Sequence, residues 1–222
     1  MDKEAIAIIG PGRVGASLGR RLGQAGWPIV YGARTTDRPG LAEIIAGSGP
    51  GARLTSPEEA ARSARAILFA IPWLDSKAAL LGLGDLSGKI IIDTTNPLTY
   101  ENGIEVEVSV VHSAARMIQD WAPGASVIKA FNATNFRIMA DPSIVDGPIT
   151  IPVAGDDAVA KSLVGRLVAD AGFHFVDAGP LENAHYLEKM AAFYVSFFFQ
   201  DRPDAIEFYL RPRPTNRLLF PT

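Results

Sequence analysis

The stretch that decides the fold is Ile6-Ala7-Ile8-Ile9-Gly10-Pro11-Gly12-Arg13-Val14-Gly15, close to the start of the 222-residue chain. The four apolar residues predict a short strand, and the glycines that follow predict a tight turn opening a helix. Gly10 permits the turn, Gly12 lets the backbone approach a pyrophosphate, and Gly15 lets the helix pack closely on the strand. The stretch therefore predicts a dinucleotide site in which the first N–H groups of the helix face the phosphates.

The end of the second predicted strand, Pro28 to Ala33, favours NADP over NAD. An NAD site usually has a carboxylate at this strand tip, whereas here the chain continues Arg34-Thr35-Thr36-Asp37-Arg38. Guanidinium groups give planar, multiply donating contacts to phosphate oxygens, so Arg34, Thr35 and Arg38 suit a 2′-phosphate. Two alternatives stay open, because both arginines could be solvated loop charges and Asp37 could turn inward to a ribose.

Composition limits the class of protein. The chain is 48% hydrophobic and 20% charged, with a net charge of −3, which is typical of a globular domain and favours neither nucleic acid nor a membrane surface as partner. It contains no cysteine, which excludes disulfides, thiolate metal sites and thiol nucleophiles. The start of the chain is charged and leads directly into the first strand, so we expect no signal peptide and a cytoplasmic protein.

Strand-like and helix-like segments alternate along the chain, which predicts an α/β, Rossmann-like doubly wound fold with a mainly parallel sheet. Further strands are predicted at Ala66 to Ile71, Lys89 to Asp93 and Ser126 to Phe131, and one more βαβ unit begins at Thr150. We expect an NADP-binding domain over residues 1–180. Residues 181–222 are expected to add a small C-terminal helical extension and a tail rich in proline and arginine.

Three loops that follow strands carry unusual residues, namely Ile71-Pro72-Trp73, Asn96-Pro97-Leu98 and Ala130-Phe131-Asn132. In a doubly wound fold the carboxyl ends of parallel strands face one crevice, so these loops should line a common site. Rigid prolines, flat aromatic rings and amide groups suit a planar ring stacked against nicotinamide. Each residue also has a structural interpretation, in which Trp73 caps a helix and Phe131 belongs to the core, but three such loops together favour the site.

The order of these motifs resembles the NADPH-dependent oxidoreductases of coenzyme F420, a deazaflavin. The resemblance includes Lys129, Gly155-Asp156-Asp157 and Asp177-Ala178-Gly179-Pro180-Leu181 and extends to about Glu188. It implies hydride transfer between NADP(H) and a deazaflavin stacked in the same crevice, and it implies these small redox cofactors as the binding partners. It also implies three sets of cofactor-binding residues: Gly10, Pro11, Gly12, Arg13, Val14 and Gly15 for the pyrophosphate, Arg34, Thr35 and Arg38 for the 2′-phosphate, and Ile71, Pro72, Trp73, Asn96, Pro97, Leu98, Ala130, Phe131 and Asn132 around the two rings.

Departures from the family pattern weaken the deazaflavin half more than the NADP half. Ala33 stands where a serine often precedes the arginine, His185 replaces a common arginine, and Arg116 replaces a common acidic residue. Direct hydride transfer between two bound cofactors needs no nucleophile, so we name no catalytic residue and no metal site. The three histidines are scattered along the chain and are expected to form local contacts only. They are His112, His174 and His185.

Other functions stay open at this point. A flavin or a ferric chelate could replace the deazaflavin, and an imine or carbonyl substrate would suit a related dehydrogenase. Such dehydrogenases usually add a long helical domain, which the sequence after Thr150 has no room for. A non-catalytic NADP sensor is also compatible with the motifs.

The C-terminal region is unusually aromatic, with Phe193, Tyr194 and a Phe197-Phe198-Phe199 run. This stretch either covers the core or forms a symmetric contact, and we expect a homodimer. The tail arginines Arg211, Arg213 and Arg217 either are solvated or attract the anionic end of a deazaflavin cofactor.

Overall fold

The structure is a computed structural model that describes residues 3–99, 105–106, 112–196 and 208–212. Its strands, in chain order, are β1 Ile6–Ile9, β2 Ile29–Gly32, β3 Arg53–Thr55, β4 Ala66–Phe69, β5 Ile90–Asp93, β6 Leu98–Thr99, β7 Glu105–Val106, β8 Ser126–Lys129, β9 Thr150–Gly155 and β10 His174–Asp177. Its α-helices are α1 Arg13–Gln24, α2 Leu41–Ala46, α3 Pro57–Ser63, α4 Trp73–Leu81, α5 Ala114–Trp121, α6 Phe136–Ala140, α7 Ala158–Asp170 and α8 Ala184–Ser196.

One eight-stranded sheet carries the fold, in the order β10-β9-β8-β5-β4-β1-β2-β3. Six neighbouring strands of this sheet are parallel, so their carboxyl ends share one edge. They are β8, β5, β4, β1, β2 and β3. The strand order reverses between β1 and β4, where open α/β sheets bind their ligands. The predicted Rossmann-like, mainly parallel fold is confirmed.

Side chains that alternate along β1 fill a core on each face of the sheet. Ile6 and Ile8 belong to one core, which also contains residues of α1 and α7. Ala7 and Ile9 belong to the other, which contains residues of α3, α4 and α5. Because both faces are covered by helices, the central strands β1 and β4 are apolar throughout, as parallel strands usually are.

The last βαβ unit, β9-α7-β10, is present as predicted, but it runs opposite to the rest of the sheet. Strand β9 pairs antiparallel with β8, joining Ile128 to Gly155. The carboxyl ends of β9 and β10 therefore lie at the edge of the sheet opposite the expected site. The family segment after β9 has a structural role there, since Asp156 accepts from the Leu181 N–H and Asp157 caps α7.

Several boundaries differ from the sequence prediction. Strand β4 ends at Phe69, two residues before the predicted end at Ile71, and α4 begins at Trp73, directly after Pro72, whose ring removes the N–H that a continuing strand would use. Strand β8 ends at Lys129, because Phe131 has a left-handed φ of 63° that a strand cannot contain. The short hairpin β6–β7 and helix α6 were not predicted, since both are too short to carry a periodic pattern.

The C-terminal part packs against the main body. A 3-10 turn at Leu181–Asn183 leads into α8, and Leu210 forms an antiparallel bridge with Thr150. Tyr194 is buried, whereas Phe193 is exposed and meets the Phe208 ring edge-on. The run from Phe197 to Phe199 and the arginines Arg213 and Arg217 lie outside the described residues. Within the described ranges, no helix is long and apolar enough to cross a membrane.

Candidate functional site

The glycine turn after β1 is built from close backbone approaches. Gly10 has a φ of 91°, and a Cβ there would lie 2.5 Å from the Ala70 carbonyl oxygen at the end of β4. A Cβ on Gly15 would lie 2.2 Å from the Gly10 carbonyl oxygen, so α1 can pack at this distance only without a side chain. Around Gly12, by contrast, a Cβ would meet nothing within 4 Å. Gly12 therefore faces open space at the start of α1.

The start of α1 is suited to binding an anion. Gly12 is the N-cap residue and supplies no side chain to satisfy the first N–H groups of the helix. These groups and the positive end of the helix dipole remain available to a negatively charged ligand. Arg13 does not reach this space, since its guanidinium lies 5.4 Å from the centre of the Phe136 ring, and Val14 is half-buried against the core.

A cavity of about 660 Å³ extends from the glycine turn along the ends of β1, β2 and β4, and we call it the cofactor cavity. Its lining includes Gly10, Pro11 and Gly12 from the turn, Arg34, Thr35 and Arg38 from the loop after β2, and Ile71 and Pro72 from the loop after β4. Its volume lies within the range of about 300–1,000 Å³ that is common for small-molecule sites. The cavity thus joins the helix start and the arginine loop in one continuous space.

The two arginines in this cavity differ. The Arg38 guanidinium donates to the Pro11 carbonyl, so it joins the arginine loop to the glycine turn. Arg34 is exposed and has no hydrogen-bond or ion-pair partner among the described residues. Its guanidinium is therefore free to bind an anionic group in the cavity. A dinucleotide with a 2′-phosphate fits these features, because the cavity offers backbone donors at one end and a free cation at the other.

The loop after β4 contributes to the cavity only in part. Ile71 and Pro72 line it, but the Trp73 ring stacks on Trp121 of α5, with ring centres 5.6 Å apart and planes 22° apart. Trp73 does not line the cofactor cavity. Trp73 was expected to form a flat wall of the crevice, but its ring instead connects the start of α4 to α5.

The loops after β5 and β8 come together, as predicted, through a reciprocal pair of asparagines. The Asn96 side-chain amide donates to the Asn132 carbonyl at 2.7 Å, and Asn132 Nδ2 donates to Asn96 Oδ1 at 2.9 Å. Asn132 Nδ2 also donates to the Leu187 carbonyl of α8 at 2.9 Å. These amides were expected to contact a cofactor, but their donors mainly hold two loops and a helix together.

Phe131 adopts the one left-handed φ found at a non-glycine position among the described residues. Such a conformation costs about 1–3 kcal/mol and persists only where the surroundings impose it. Its ring is 2% exposed and meets the Phe173 ring edge-on, with centres 6.2 Å apart, so it does not form the expected flat wall of the crevice. Ala130, Pro97 and Leu98 are buried as well. These residues shape the loop main chain rather than line an open pocket.

Beside these loops lies a cluster that sequence reasoning did not assemble, consisting of Asp93, Lys129 and Glu188, which we call the buried lysine cluster. Lys129 Nζ lies 2.9 Å from Asp93 Oδ2 and 2.9 Å from Glu188 Oε1, and all three side chains are at most 2% exposed. Burial alone would lower the pKa of Lys129, but the two carboxylates outweigh it and hold the pKa above its ordinary value. The two carboxylates therefore favour the ammonium form of Lys129.

A second, much smaller crevice separates Phe131 and Asn132 from the tail residues Phe208–Leu210. Its volume is about 10 Å³, which is close to the minimum for one water molecule. Thr150 borders it, and its buried hydroxyl has no hydrogen-bond partner within the described structure. The crevice is therefore too small to hold an aromatic ring.

The histidines lie apart from the cofactor cavity. His112 and His174 are exposed, and His185 Nδ1 lies 2.6 Å from the Glu182 carbonyl in the turn before α8. In the described ranges, no three His, Asp or Glu side chains gather as a metal site would require.

Comparisons with known proteins agree with this geometry. Residues 5–97 match the family model described as NADP oxidoreductase, coenzyme F420-dependent. Over 193 residues, the chain is 32% identical to Metalloreductase STEAP3 of Rattus norvegicus, covering 85% of this chain but only 37% of that longer protein. It is 28% identical to the F420-dependent NADP reductase of Methanothermobacter marburgensis, covering 89% of this chain and 93% of that one.

Among solved structures, a protein of Arthrobacter sp. FB24 provisionally described as an F420-dependent NADP reductase superposes with a TM-score of 0.79. The two are 27% identical, and the match covers 87% of this chain and 92% of that one. The fold, the cavity and these similarities together define an NADP-dependent oxidoreductase. These similarities agree with the resemblance to coenzyme F420-dependent NADP oxidoreductases that the motifs carry.

Proposed function

We propose that this protein transfers hydride between NADP(H) and a deazaflavin of the coenzyme F420 type. The observation that carries the proposal is the cofactor cavity, which combines an uncapped helix start at Gly12 with the unpaired guanidinium of Arg34. The deazaflavin half rests on the family and on relatives such as the Methanothermobacter marburgensis enzyme, which matches over nearly its whole length.

The glycine turn would hold the pyrophosphate through main-chain groups. Gly10 and Gly15 make the close approaches that shape the turn, and Gly12 leaves the space that a phosphate needs. The first N–H groups of α1, from Arg13 onward, would donate to the phosphate oxygens. Pro11 and Val14 complete the loop, Pro11 in the cavity wall and Val14 against the core.

The loop after β2 would distinguish NADP from NAD. Arg34 would bind the 2′-phosphate with its free guanidinium, and the Thr35 hydroxyl lies in the same lining. Arg38 would keep the arginine loop against the glycine turn through its bond to the Pro11 carbonyl.

The ring end of the site would be formed by Ile71 and Pro72 together with the two cross-linked loops after β5 and β8. When bound, the nicotinamide and deazaflavin rings supply the hydride donor and acceptor, so NADPH, a proton and the oxidised deazaflavin give NADP⁺ and the reduced deazaflavin. The residues of this chain would orient the rings and exclude water, which are the contributions that direct transfer requires. No side chain is proposed to be catalytic.

The test is the oxidation of NADPH with coenzyme F420, with FMN, with FAD, with ferric citrate or with no acceptor, repeated with NADH. The proposal predicts rapid loss of both NADPH and F420 absorbance, with NADH much slower. Tight NADPH binding without turnover on any acceptor would contradict the proposed reaction and favour a redox sensor.

A second candidate is reduction of a flavin or a ferric chelate. It is favoured by the 32% identity to STEAP3, whose name describes a metalloreductase, although the chain spans about a third of that protein. Faster turnover with FMN or ferric citrate than with F420 would support this candidate. The homodimer, the cytoplasmic location and the division at residue 180 stay predictions.

A further inference from the structure

Helix α8 is joined to the ring end of the site by three polar contacts. Glu188 pairs with Lys129 at the end of β8, the Leu187 carbonyl accepts from Asn132, and the Tyr194 hydroxyl lies 2.9 Å from the Asn135 side-chain amide. All three contacts reach residues at or just after the end of β8. The helix therefore holds the loop after β8 along its length.

Among the three α8 residues that make these contacts, Glu188 is the most deeply buried, at 1% exposure. Its Oε1 accepts from Lys129 Nζ and from the Ala115 N–H at 3.1 Å, and its Oε2 accepts from the Ala114 N–H at 2.9 Å. Ala114 and Ala115 begin α5, so the carboxylate also meets the positive end of that helix. A single side chain thus joins α8, α5 and β8.

From Lys129 the connection continues into the other ring-end loop. Lys129 Nζ donates to the Thr95 carbonyl as well as to Asp93, and the Thr95 N–H donates to Asp93 Oδ1 at 2.8 Å. Asn96 follows directly and bonds to Asn132. A continuous chain of charged and polar contacts therefore runs from Glu188 to both asparagines.

We propose that Glu188 is a positioning residue of the oxidoreductase, which through Lys129 fixes the loops after β5 and β8 against the bound rings. The expected fall in kcat rests on the proposed function. Replacing the carboxylate by an amide would leave Lys129 with one counter-ion and turn an NH₂ group toward a donor, since Glu188 accepts on both oxygens. The loops after β5 and β8 would then lose the contact that Glu188 makes through Lys129, while the glycine turn and Arg34, which do not contact the cluster, would be unchanged.

The test compares Glu188→Gln with Glu182→Gln, a matched control on the exposed turn before α8. For Glu188→Gln we expect kcat with F420, per folded molecule, to fall about 10- to 100-fold, as small misplacements of reacting groups can cause. The Kd for NADPH should stay within about twofold, because Arg34 and Gly12 are untouched. Glu188→Asp, which keeps the charge, should recover part of the lost rate.

A second readout does not depend on the acceptor. Amide hydrogen exchange at residues 94–96, 98 and 132–135 should speed up at least about tenfold in Glu188→Gln but not in Glu182→Gln, while residues 13–16 exchange as in the wild type. If wild-type protein fails to reduce F420, the proposed function is wrong and hydrogen exchange alone decides the inference. If Glu188→Gln has a lower melting temperature but unchanged kcat and unchanged loop exchange, the positioning role of Glu188 is wrong. If Glu188→Gln does not fold, kcat and loop exchange are measured on Glu188→Asp instead.

Discussion

The cofactor cavity and the buried lysine cluster lie at the same edge of the sheet but are built in opposite ways. The cavity is open, uses main-chain groups around Gly12, and leaves the Arg34 guanidinium without a partner. The cluster is closed and is built around three charged side chains, whose charged atoms have partners in one another and in nearby main-chain groups. One region is arranged to receive a ligand, and the other is arranged to hold the protein in place.

This difference separates binding from positioning. An anion can enter the cavity without displacing an internal contact, whereas any change in the cluster leaves a buried charge uncompensated. We therefore expect variants of the cavity to change nucleotide affinity at little cost in stability. Variants around the cluster should change stability and the ring-end reaction, with nucleotide affinity preserved.

We expect the largest effects at Gly12 and Gly15, two glycines of the same turn whose substitution should change different properties. Gly12→Val should weaken NADPH binding at least about 100-fold, or about 2.7 kcal/mol, because its side chain would fill the open phosphate space. Its melting temperature should fall less than that of Gly15→Val, because a Cβ on Gly12 would meet nothing within 4 Å, even though valine is a poorer N-cap residue than glycine. Gly15→Val, whose Cβ would meet the Gly10 carbonyl, should lower the melting temperature by about 6–12 °C.

NADPH titration and thermal unfolding of both variants measure this contrast. Wild-type affinity in Gly12→Val would contradict the assignment of the glycine turn to the pyrophosphate. An unchanged melting temperature in Gly15→Val would contradict the close packing of α1 on the turn.

The next effect concerns the asparagine that links the ring-end loops. Asn132→Asp keeps the shape of the side chain but replaces the NH₂ that donates to Asn96 and to the Leu187 carbonyl by an acceptor. We expect a loss of about 2–3 kcal/mol in unfolding free energy, measured in urea, because buried acceptors would then face one another. NADPH affinity should be preserved in the folded variant.

Asn183→Asp is the matched control for this change. Asn183 donates to the Ala178 carbonyl at the opposite edge of the sheet and is half-buried, so a smaller loss of stability is expected. Equal losses of unfolding free energy in the two variants would contradict the role of Asn132 as the link between the ring-end loops.

A smaller effect is expected at the 2′-phosphate. Arg34→Asp should raise the Kd for NADPH more than tenfold, equivalent to about 1.4 kcal/mol, and leave the Kd for NADH nearly unchanged. Arg65→Asp, before β4 at the opposite edge, makes the same charge change away from the cavity and should alter neither value. Equal weakening of both nucleotides by Arg34→Asp would rule out a 2′-phosphate contact.

The smallest effect is a dependence of stability on pH to which the buried lysine cluster contributes. Because the folded pKa of Lys129 is raised, its stabilisation is complete below the unfolded value of about 10.4 and is lost as pH rises through the folded value. The unfolding free energy should thus fall above about pH 10.4, by at most about 1.4 kcal/mol per pH unit from this group. Burial raises the pKa of Tyr31 as well, which adds a loss of the same sign.

Urea unfolding of wild type and Glu188→Gln between neutral pH and the alkaline range isolates the lysine. The contribution of Tyr31 is common to both proteins, and Glu188→Gln removes one of the two carboxylates that raise the Lys129 pKa. The variant should therefore show the shallower fall. Identical slopes would show that Glu188 does not stabilise the Lys129 ammonium.

The phosphate half of the site was predictable from sequence because its parts are local and use the backbone. Three glycines after an apolar strand determine the turn, and the arginines follow the next strand within a few residues. The position of Arg34 in the same cavity as Gly12 follows from the parallel pairing of β1 and β2, and the alternation of strands and helices predicted a mainly parallel sheet. The positive φ of Gly10 is the kind of backbone demand that a glycine signals.

The ring half could be located but not described in detail. That the loops after β5 and β8 would meet followed from the parallel sheet, yet the partners of Asn132 depend on α8, 55 residues away in the chain. Asp93 and Lys129 are 36 residues apart, and no local pattern marks such a pairing. The burial of the Phe131 ring and the stack of Trp73 on Trp121 are packing outcomes of the same kind. A lysine directly after the apolar pair Val127 and Ile128 in a central strand was the available signal, since such a side chain needs buried partners.

The most direct test of direct hydride transfer uses NADPH that carries deuterium at the hydride-donating carbon of the nicotinamide ring, mixed with the protein and coenzyme F420 in ordinary water. The account predicts that the deuterium is recovered on carbon in the reduced deazaflavin, because two rings held face to face exchange hydride without solvent. Reduced deazaflavin that carries only solvent hydrogen, or no reduction at all, would contradict it.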